Sequence, residues 1–355
     1  MERASVHEQE VDGDANRRPD ECSDQESPCH WPIVTRTTDV LLNRLSVDGS
    51  RPRRRNFLRA LATLWLGICL VGASCGGAKG NPIAPPTTGL LFGAKTGYYQ
   101  SDVSAFESLI RRKIAIRAIS VPWEGAWPDA RVVEDQGQGR LDLITWRGTD
   151  LRQILSGQFD DMIRARAREV RQLGFPIFVR PMHEMNGDWF PWCCHPDEYQ
   201  QTWRRIHDIF AEEGALNVAW VWSPTPSRSG WRAYYPGDDY VDWIGASVYN
   251  WGNTAAPWKW RSLSEILEPL YADLSDRGKP IMLAEVGSAE QGGDKAQWVL
   301  DGASALEESF PSVKAWIHQE YADDGADWRV ESSSESLRAY RRIVHSEYFG
   351  PPRTD

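Results

Sequence analysis

At 355 residues the chain is too long for a minimal domain and suits one α/β barrel with additions at its ends. Its net charge of −10 and hydrophobic fraction of 41% describe a soluble globular protein. No basic face follows the N-terminal region, which argues against nucleic acid as a partner.

Residues 1–50 are acidic, polar and aperiodic, and read as a disordered extension or an over-extended start of translation. Arg53-Arg54-Arg55-Asn56-Phe57-Leu58-Arg59 then precedes an apolar run from Ala60 to Ser74. Residues 51–75 therefore read as an export signal, the run being too short for a membrane span of about 20 residues. Arg54-Arg55 with Phe57-Leu58 resembles a twin-arginine signal, which implies export from a bacterial cell, to the outside or to the periplasm. Cys75 follows Leu70-Val71-Gly72-Ala73-Ser74 and precedes two glycines, like a lipoprotein cleavage site with Gly72 where leucine is usual. Lipid attachment at Cys75, and through it to a membrane, stands beside ordinary cleavage nearby or a retained apolar anchor. Residues 76–88, with Pro82, Pro85 and Pro86, read as a linker.

From residue 89 to 350, short apolar runs alternate with amphipathic segments. Strands are expected at 90–95, 114–120, 141–146, 176–182, 217–222, 242–248, 280–285 and 313–318, each apolar on both faces as in a parallel sheet covered by helices. The clearest helix has Phe159, Met162, Ile163, Ala167, Val170 and Leu173 on one face and stops at Gly174; another starts at Pro196 and ends before Gly214. This alternation predicts a (β/α)8 barrel, typically about 250 residues long. The alternative, a doubly wound open sheet, lacks its glycine-rich phosphate loop after the first strand.

The fourth run delivers Arg180-Pro181-Met182-His183-Glu184-Met185-Asn186-Gly187-Asp188-Trp189, and the seventh delivers Ala284-Glu285-Val286-Gly287. On a barrel both glutamates lie just past their strands, at the face where such folds place their chemistry. Two carboxylates beside aromatic residues suit acid/base work on a sugar polymer; a retaining glycosidase needs them about 5–5.5 Å apart. One must stay protonated near neutral pH, and a neighbouring carboxylate raises its pKa. Tryptophan is the outlying residue type: 18, all but Trp31 and Trp65 of them after residue 75, some for the core and the surplus suited to the C–H faces of sugars. Arg180, Met182 and Glu184 share one parity, so the Arg180 guanidinium is expected below the acid, holding the opposing carboxylate ionised. A pair with a helix carboxylate outside the barrel is its alternative. Cys193 and Cys194, the only cysteines after Cys75, are adjacent and form no CxxC metal pair. They read as small loop residues near the site, able to join as a vicinal disulfide where the compartment oxidises.

His-Glu-Met-Asn-Gly-Asp-Trp at 183–189 resembles glycoside hydrolase family 26, whose best-known members are β-mannanases. The resemblance covers roughly residues 90–345 and includes Gly93-Ala94-Lys95-Thr96-Gly97, Ile144-Thr145-Trp146 and the segment 235–245. It implies a retaining barrel glycosidase acting on β-1,4-mannan, with Glu184 as general acid/base and Glu285 as nucleophile. By the same resemblance His183 hydrogen-bonds within the site, Trp189 stacks on sugar and Tyr249 hydrogen-bonds the nucleophile. Trp192, Trp251 and Trp123 stand as subsite walls, with core packing as the alternative. Two departures touch the expected substrate surface: Ser247 replaces an aspartate, and Trp316-Ile317-His318-Gln319 replaces a Trp-Phe-Asn-like ending. A neutral hydroxyl cannot match a charged acceptor, so a β-glucanase or β-xylanase, or a non-catalytic carbohydrate-binding barrel, stays open. No cofactor is expected, and no metal: His183-Glu184 lacks a second histidine four residues on, because position 187 is glycine. A monomer with a polysaccharide substrate is the expectation.

Overall fold

The computed structural model describes residues 81–350, except Tyr98, Asp324 and the side chain of Asp323. The expected extension 1–50, the export signal 51–75 with Cys75, and the first part of the linker lie outside the described residues.

Eight parallel strands close into a barrel in sequence order. They are β1 (Leu91–Lys95), β2 (Ile116–Val121), β3 (Leu141–Trp146), β4 (Ile177–Pro181), β5 (Val218–Trp222), β6 (Trp243–Asn250), β7 (Ile281–Ser288) and β8 (Val313–Gln319). Closure runs from Leu91 opposite Ala315 to Lys95 opposite Gln319. The helices are α1 (Gln100–Ile110), α2 (Ala130–Gly137), α3 (Leu151–Leu155), α4 (Asp160–Leu173), α5 (Pro196–Glu212), α6 (Leu263–Leu274), α7 (Lys295–Ser309) and α8 (Ser334–Val344). The expected helix ends at Gly174, whose φ of 71° is open to glycine without a Cβ penalty. Between β5 and β6 there is no α-helix, only two 3₁₀ turns, Trp231–Tyr234 and Asp238–Tyr240.

Strand burial on both faces has two sources. One face packs on the helices; the other fills the barrel with Leu91, Ala118, Leu143, Phe178, Val221, Trp243, Met282 and Ile317 among others. At the N-terminal end Phe178 meets Trp243 edge to face at 5.3 Å, and the Trp243 indole donates to the Ile83 carbonyl at 3.0 Å. Ile83 is itself fully buried, so the expected linker is corrected: by residue 83 the chain is already seated in the barrel, because an apolar side chain can reach the open end of the core. Toward the C-terminal end, interior positions turn polar. Thr145, Arg180, Ser223 and Glu285 meet there inside the ring. A small hairpin, β9 (Ala322–Asp323) with β10 (Ala326–Asp327), follows β8 at that rim.

Candidate active site

Glu285 owes its direction to an irregularity in β7. Met282 and Ala284 belong to the barrel interior, so strict alternation would send Glu285 outward to the helices. The pairing with β6 instead slips by one residue: Ala246 faces Leu283, but Ser247 faces Glu285. The extra residue is a bulge, and it returns the carboxylate to the interior. Glu285 thus lies within β7 rather than just past it. Its Oε1 accepts from the Arg180 guanidinium and its Oε2 from the Tyr249 hydroxyl at 2.7 Å. Arg180 is buried and is fixed by Thr145 Oγ1 at 3.1 Å and Ser223 Oγ at 3.5 Å. Burial alone would raise the Glu285 pKa, but Arg180, followed by weaker help from His183, Lys95 and Tyr249, carries it down to about 2.

Glu184 is held differently. Strand β4 stops at Pro181, and Met182 and Glu184 adopt positive φ, 48° and 55°, a region that costs a non-glycine residue about 1–2 kcal/mol. The expected parity of Arg180, Met182 and Glu184 is therefore corrected: the chain has left the strand before residue 182, and Met182 is a core side chain. Surrounding hydrogen bonds fix the turn. Glu184 N donates to Ser223 O at 2.7 Å, Gly187 N to Glu184 O at 2.9 Å, and the Asn186 amide exchanges two 2.9 Å bonds with the Thr225 backbone. The Trp189 indole donates to Glu184 Oε2 at 2.9 Å. That ring packs against Gly187, where a Cβ would come within 2.4 Å of it. Burial, and then the charge of Glu285, raise the Glu184 pKa to about 7. The Ser247 hydroxyl faces Glu184 and pulls weakly the other way without closing a hydrogen bond.

Both carboxyls open into one cleft of about 830 Å3, flanked by Trp189, Tyr249, Trp251, Trp258, Tyr321 and Trp328. A family profile described as glycosyl hydrolase family 26 matches residues 123–287, the span that carries both glutamates. Over that span the barrel matches glycosyl hydrolase family 26. Endoglucanase H of Acetivibrio thermocellus is 34% identical over 278 residues, which is 72% of this chain and 30% of that protein. A mannan endo-1,4-beta-mannosidase of Bacillus subtilis is 32% identical over 128 residues, 33% of this chain and 34% of that protein. The chain thus spans about a third of the length of these curated relatives. In fold it resembles a solved Bacillus subtilis mannanase with a TM-score of 0.54 at 20% identity, over 76% of this chain and 88% of that one.

The cleft gathers most, not all, of the expected residues. Glu184, Glu285, Trp189, Tyr249, Trp251 and His183 line it, and Arg180 lies beneath. Trp192 and Trp123 are corrected. Trp192 is 1% exposed, stacks on Phe190 at 4.3 Å and donates to the His183 carbonyl at 2.7 Å, so it braces the acid turn from below. Trp123 is 5% exposed and stacks on Trp146 at 4.4 Å in the packing between barrel and helices. His183 lines the cleft but makes no side-chain hydrogen bond among the described residues. Burial, then Arg180, lower its pKa to about 3, so it is a neutral wall and not a charged partner. His318 is corrected too: it is buried against Phe106 and Tyr340 and bonded to Glu320 at 3.0 Å, away from the cleft. Ser247 does face the cleft, as expected. Cys193 and Cys194 are joined as a vicinal disulfide in the loop after Trp192.

Sequence reading missed Trp258, Tyr321, Trp328 and Lys95. Trp328 closes over Gly287, where a Cβ would sit 2.8 Å from its ring. Its loop is pinned by the buried Lys295 ammonium, which donates to Asp327 O at 3.0 Å, Arg329 O at 2.8 Å and Ser332 Oγ at 2.8 Å. The signal available was an aromatic pair shortly after the last strand. Among the described residues no three His, Cys, Asp or Glu side chains form a metal-binding group.

Proposed function

We propose that this chain hydrolyses a β-linked polysaccharide with retention of configuration, and that β-1,4-mannan is its substrate. The observation that carries the reading is the opposite ionisation of two glutamates in one aromatic cleft: Glu184 protonated up to about pH 7, Glu285 ionised down to about pH 2. Glu285, steadied by Arg180 and Tyr249, attacks the anomeric carbon while Glu184 gives its proton to the departing glycosidic oxygen. A covalent glycosyl ester on Glu285 results. Glu184, now a carboxylate, takes a proton from water, whose oxygen displaces Glu285 and restores both groups. Trp189 and Trp258, 44% and 43% exposed, offer open faces for sugar stacking.

A second reading, β-glucan as substrate, is favoured by one comparison. The relative named an endoglucanase aligns with 72% of this chain, against 33% for the Bacillus subtilis mannosidase, and Ser247 supplies no charge to a sugar hydroxyl. Reducing-end release from mannan, mixed-linkage glucan and xylan separates the readings, with proton NMR of the first product. Mannan cleavage giving the β-anomer first is expected; release from mixed-linkage glucan alone moves the assignment to the second, and an α-anomer first sinks retention.

The barrel further belongs, in our reading, outside the cytoplasm. The twin-arginine-like segment at 51–75 supports this, as does the Cys193–Cys194 bond, of a kind that persists in oxidising compartments. Cys75 is the proposed lipid site. Intact-mass analysis of the mature protein tests both: a chain beginning at Cys75 with added acyl mass is expected, and an uncleaved cytoplasmic chain contradicts them.

A further inference from the structure

The cleft is basic in a chain whose net charge is −10. Lys95, Arg147, Lys259 and Arg261 line it, against only the two carboxyls of Glu184 and Glu285. Those two do not neutralise the excess. Glu285 is already met by Arg180 from below, and Glu184 holds its proton near neutral pH. Several exposed arginines elsewhere are matched with acids, among them Arg152 with Glu198, Arg232 with Asp273 and Arg329 with Asp327. Lys95, Arg147 and Lys259 form no ion pair among the described residues.

Position sharpens the contrast. Lys95 ends β1 and Arg147 follows β3, on either side of Ser120 near the end of β2, so the three strand ends present a basic shelf at the rim. Lys95 is half-buried, with its ammonium 5.0 Å over the Tyr321 ring, which orients it without cancelling its charge. The nearest counter-charge to this partly desolvated ammonium is Glu285, which Arg180 already holds, so a ligand anion would add to its stabilisation. Arg147 is exposed and presents a planar fork of the shape that grips a carboxylate. Lys259 stands across the cleft next to Trp258, which stacks on Trp251 at 5.7 Å. Nothing in a neutral glycan requires these cations.

We propose that the cleft takes an anionic β-glycan, one in which hexose units are oxidised at C6 to uronates, with Lys95 and Arg147 as the counter-charges that recognise the carboxylate. The inference deepens the hydrolase reading by naming its substrate class, and for turnover it rests on that reading; for binding it does not.

The test uses the full chain carrying Glu184→Gln, which slows turnover without changing the charge the cleft carries at pH 6. Binding of neutral and C6-oxidised mannan and glucan oligosaccharides is measured by calorimetry in low salt and in about 0.5 M NaCl. The oxidised form should bind at least about tenfold tighter in low salt, and most of that ratio should vanish at high salt. Lys95→Met and Arg147→Met should each cut the ratio several-fold, and Arg147→Lys should restore part of it. Equal or weaker binding of the oxidised form, or no binding of either, overturns the proposal. Hydrolysis by the unmodified chain is read separately. No release from any polymer, with the binding ratio intact, sinks the hydrolase reading alone; equal release and equal binding sink the anionic substrate alone.

Discussion

Two corners of the cleft hold the same side chain in contrasting ways. At the β7 corner, Glu285 sits inside a strand and takes a buried guanidinium on one oxygen and a phenol on the other. At the β4 corner, Glu184 sits beyond its strand on left-handed backbone and takes a single indole donor. Donors to the charged form and a cation hold one carboxyl ionised, whereas burial and a neighbouring anion keep the other protonated. The identity of the residue decides nothing here; the number of donors and the sign of the nearest charge decide its role.

The largest expected effect comes from deleting the ionised partner. Glu285→Ala should lower kcat by at least about 10⁴-fold on every substrate, with azide restoring part of it and giving an inverted glycosyl azide. Persistent turnover without azide would remove Glu285 from the covalent step. Glu184→Ala should cost about 10²–10⁴-fold on polysaccharide yet spare aryl glycosides with activated leaving groups, which need no proton at departure. Equal loss on both substrate types would erase the distinction between the two corners.

Smaller changes should tune rather than abolish the contrast. The kcat/KM profile should be bell-shaped, rising as Glu285 ionises near pH 2 and falling as Glu184 loses its proton near pH 7. Tyr249→Phe removes a donor to ionised Glu285, so the acid limb should move to higher pH and kcat fall by about 10- to 100-fold. An unmoved acid limb would show that Arg180 alone sets that ionisation. Trp189→Phe removes the donor to the Glu184 carboxylate and so favours its protonated form. The alkaline limb should move upward by about half a pH unit, with KM rising about threefold to tenfold as the larger ring is lost. A downward move of that limb would contradict the assignment.

Much of this was legible in the letters because the barrel imposes strong local patterns. Apolar runs with turn residues at both ends marked all eight strands, most of them within a residue or two, since each strand is buried on both faces. The two glutamates were legible for the same reason: a charge that ends a continuous apolar run stands out. Their orientation was not. Alternation misplaces Glu285, because pairing with β6 and not the β7 sequence introduces the extra residue. Alternation also fails after Pro181, where Met182 and Glu184 leave extended geometry. Tryptophan carried an ambiguity that only packing resolves. Trp123 and Trp192 went to the interior while Trp258 and Trp328, with no periodic signal around them, came to the cleft.

The bulge in β7 reaches further than its size. A stretch can keep every letter of Ala-Glu-Val-Gly and still lose its chemistry if the stagger against β6 is repaired, because the carboxyl would then swing toward the helix layer. A register in which Ala284 faces Ser247 and Glu285 faces Val248 would do that, leaving a folded barrel with an intact motif and a silent cleft. In barrels of this kind, an alignment column says which residue is present, and the offset between neighbouring staves says where it looks.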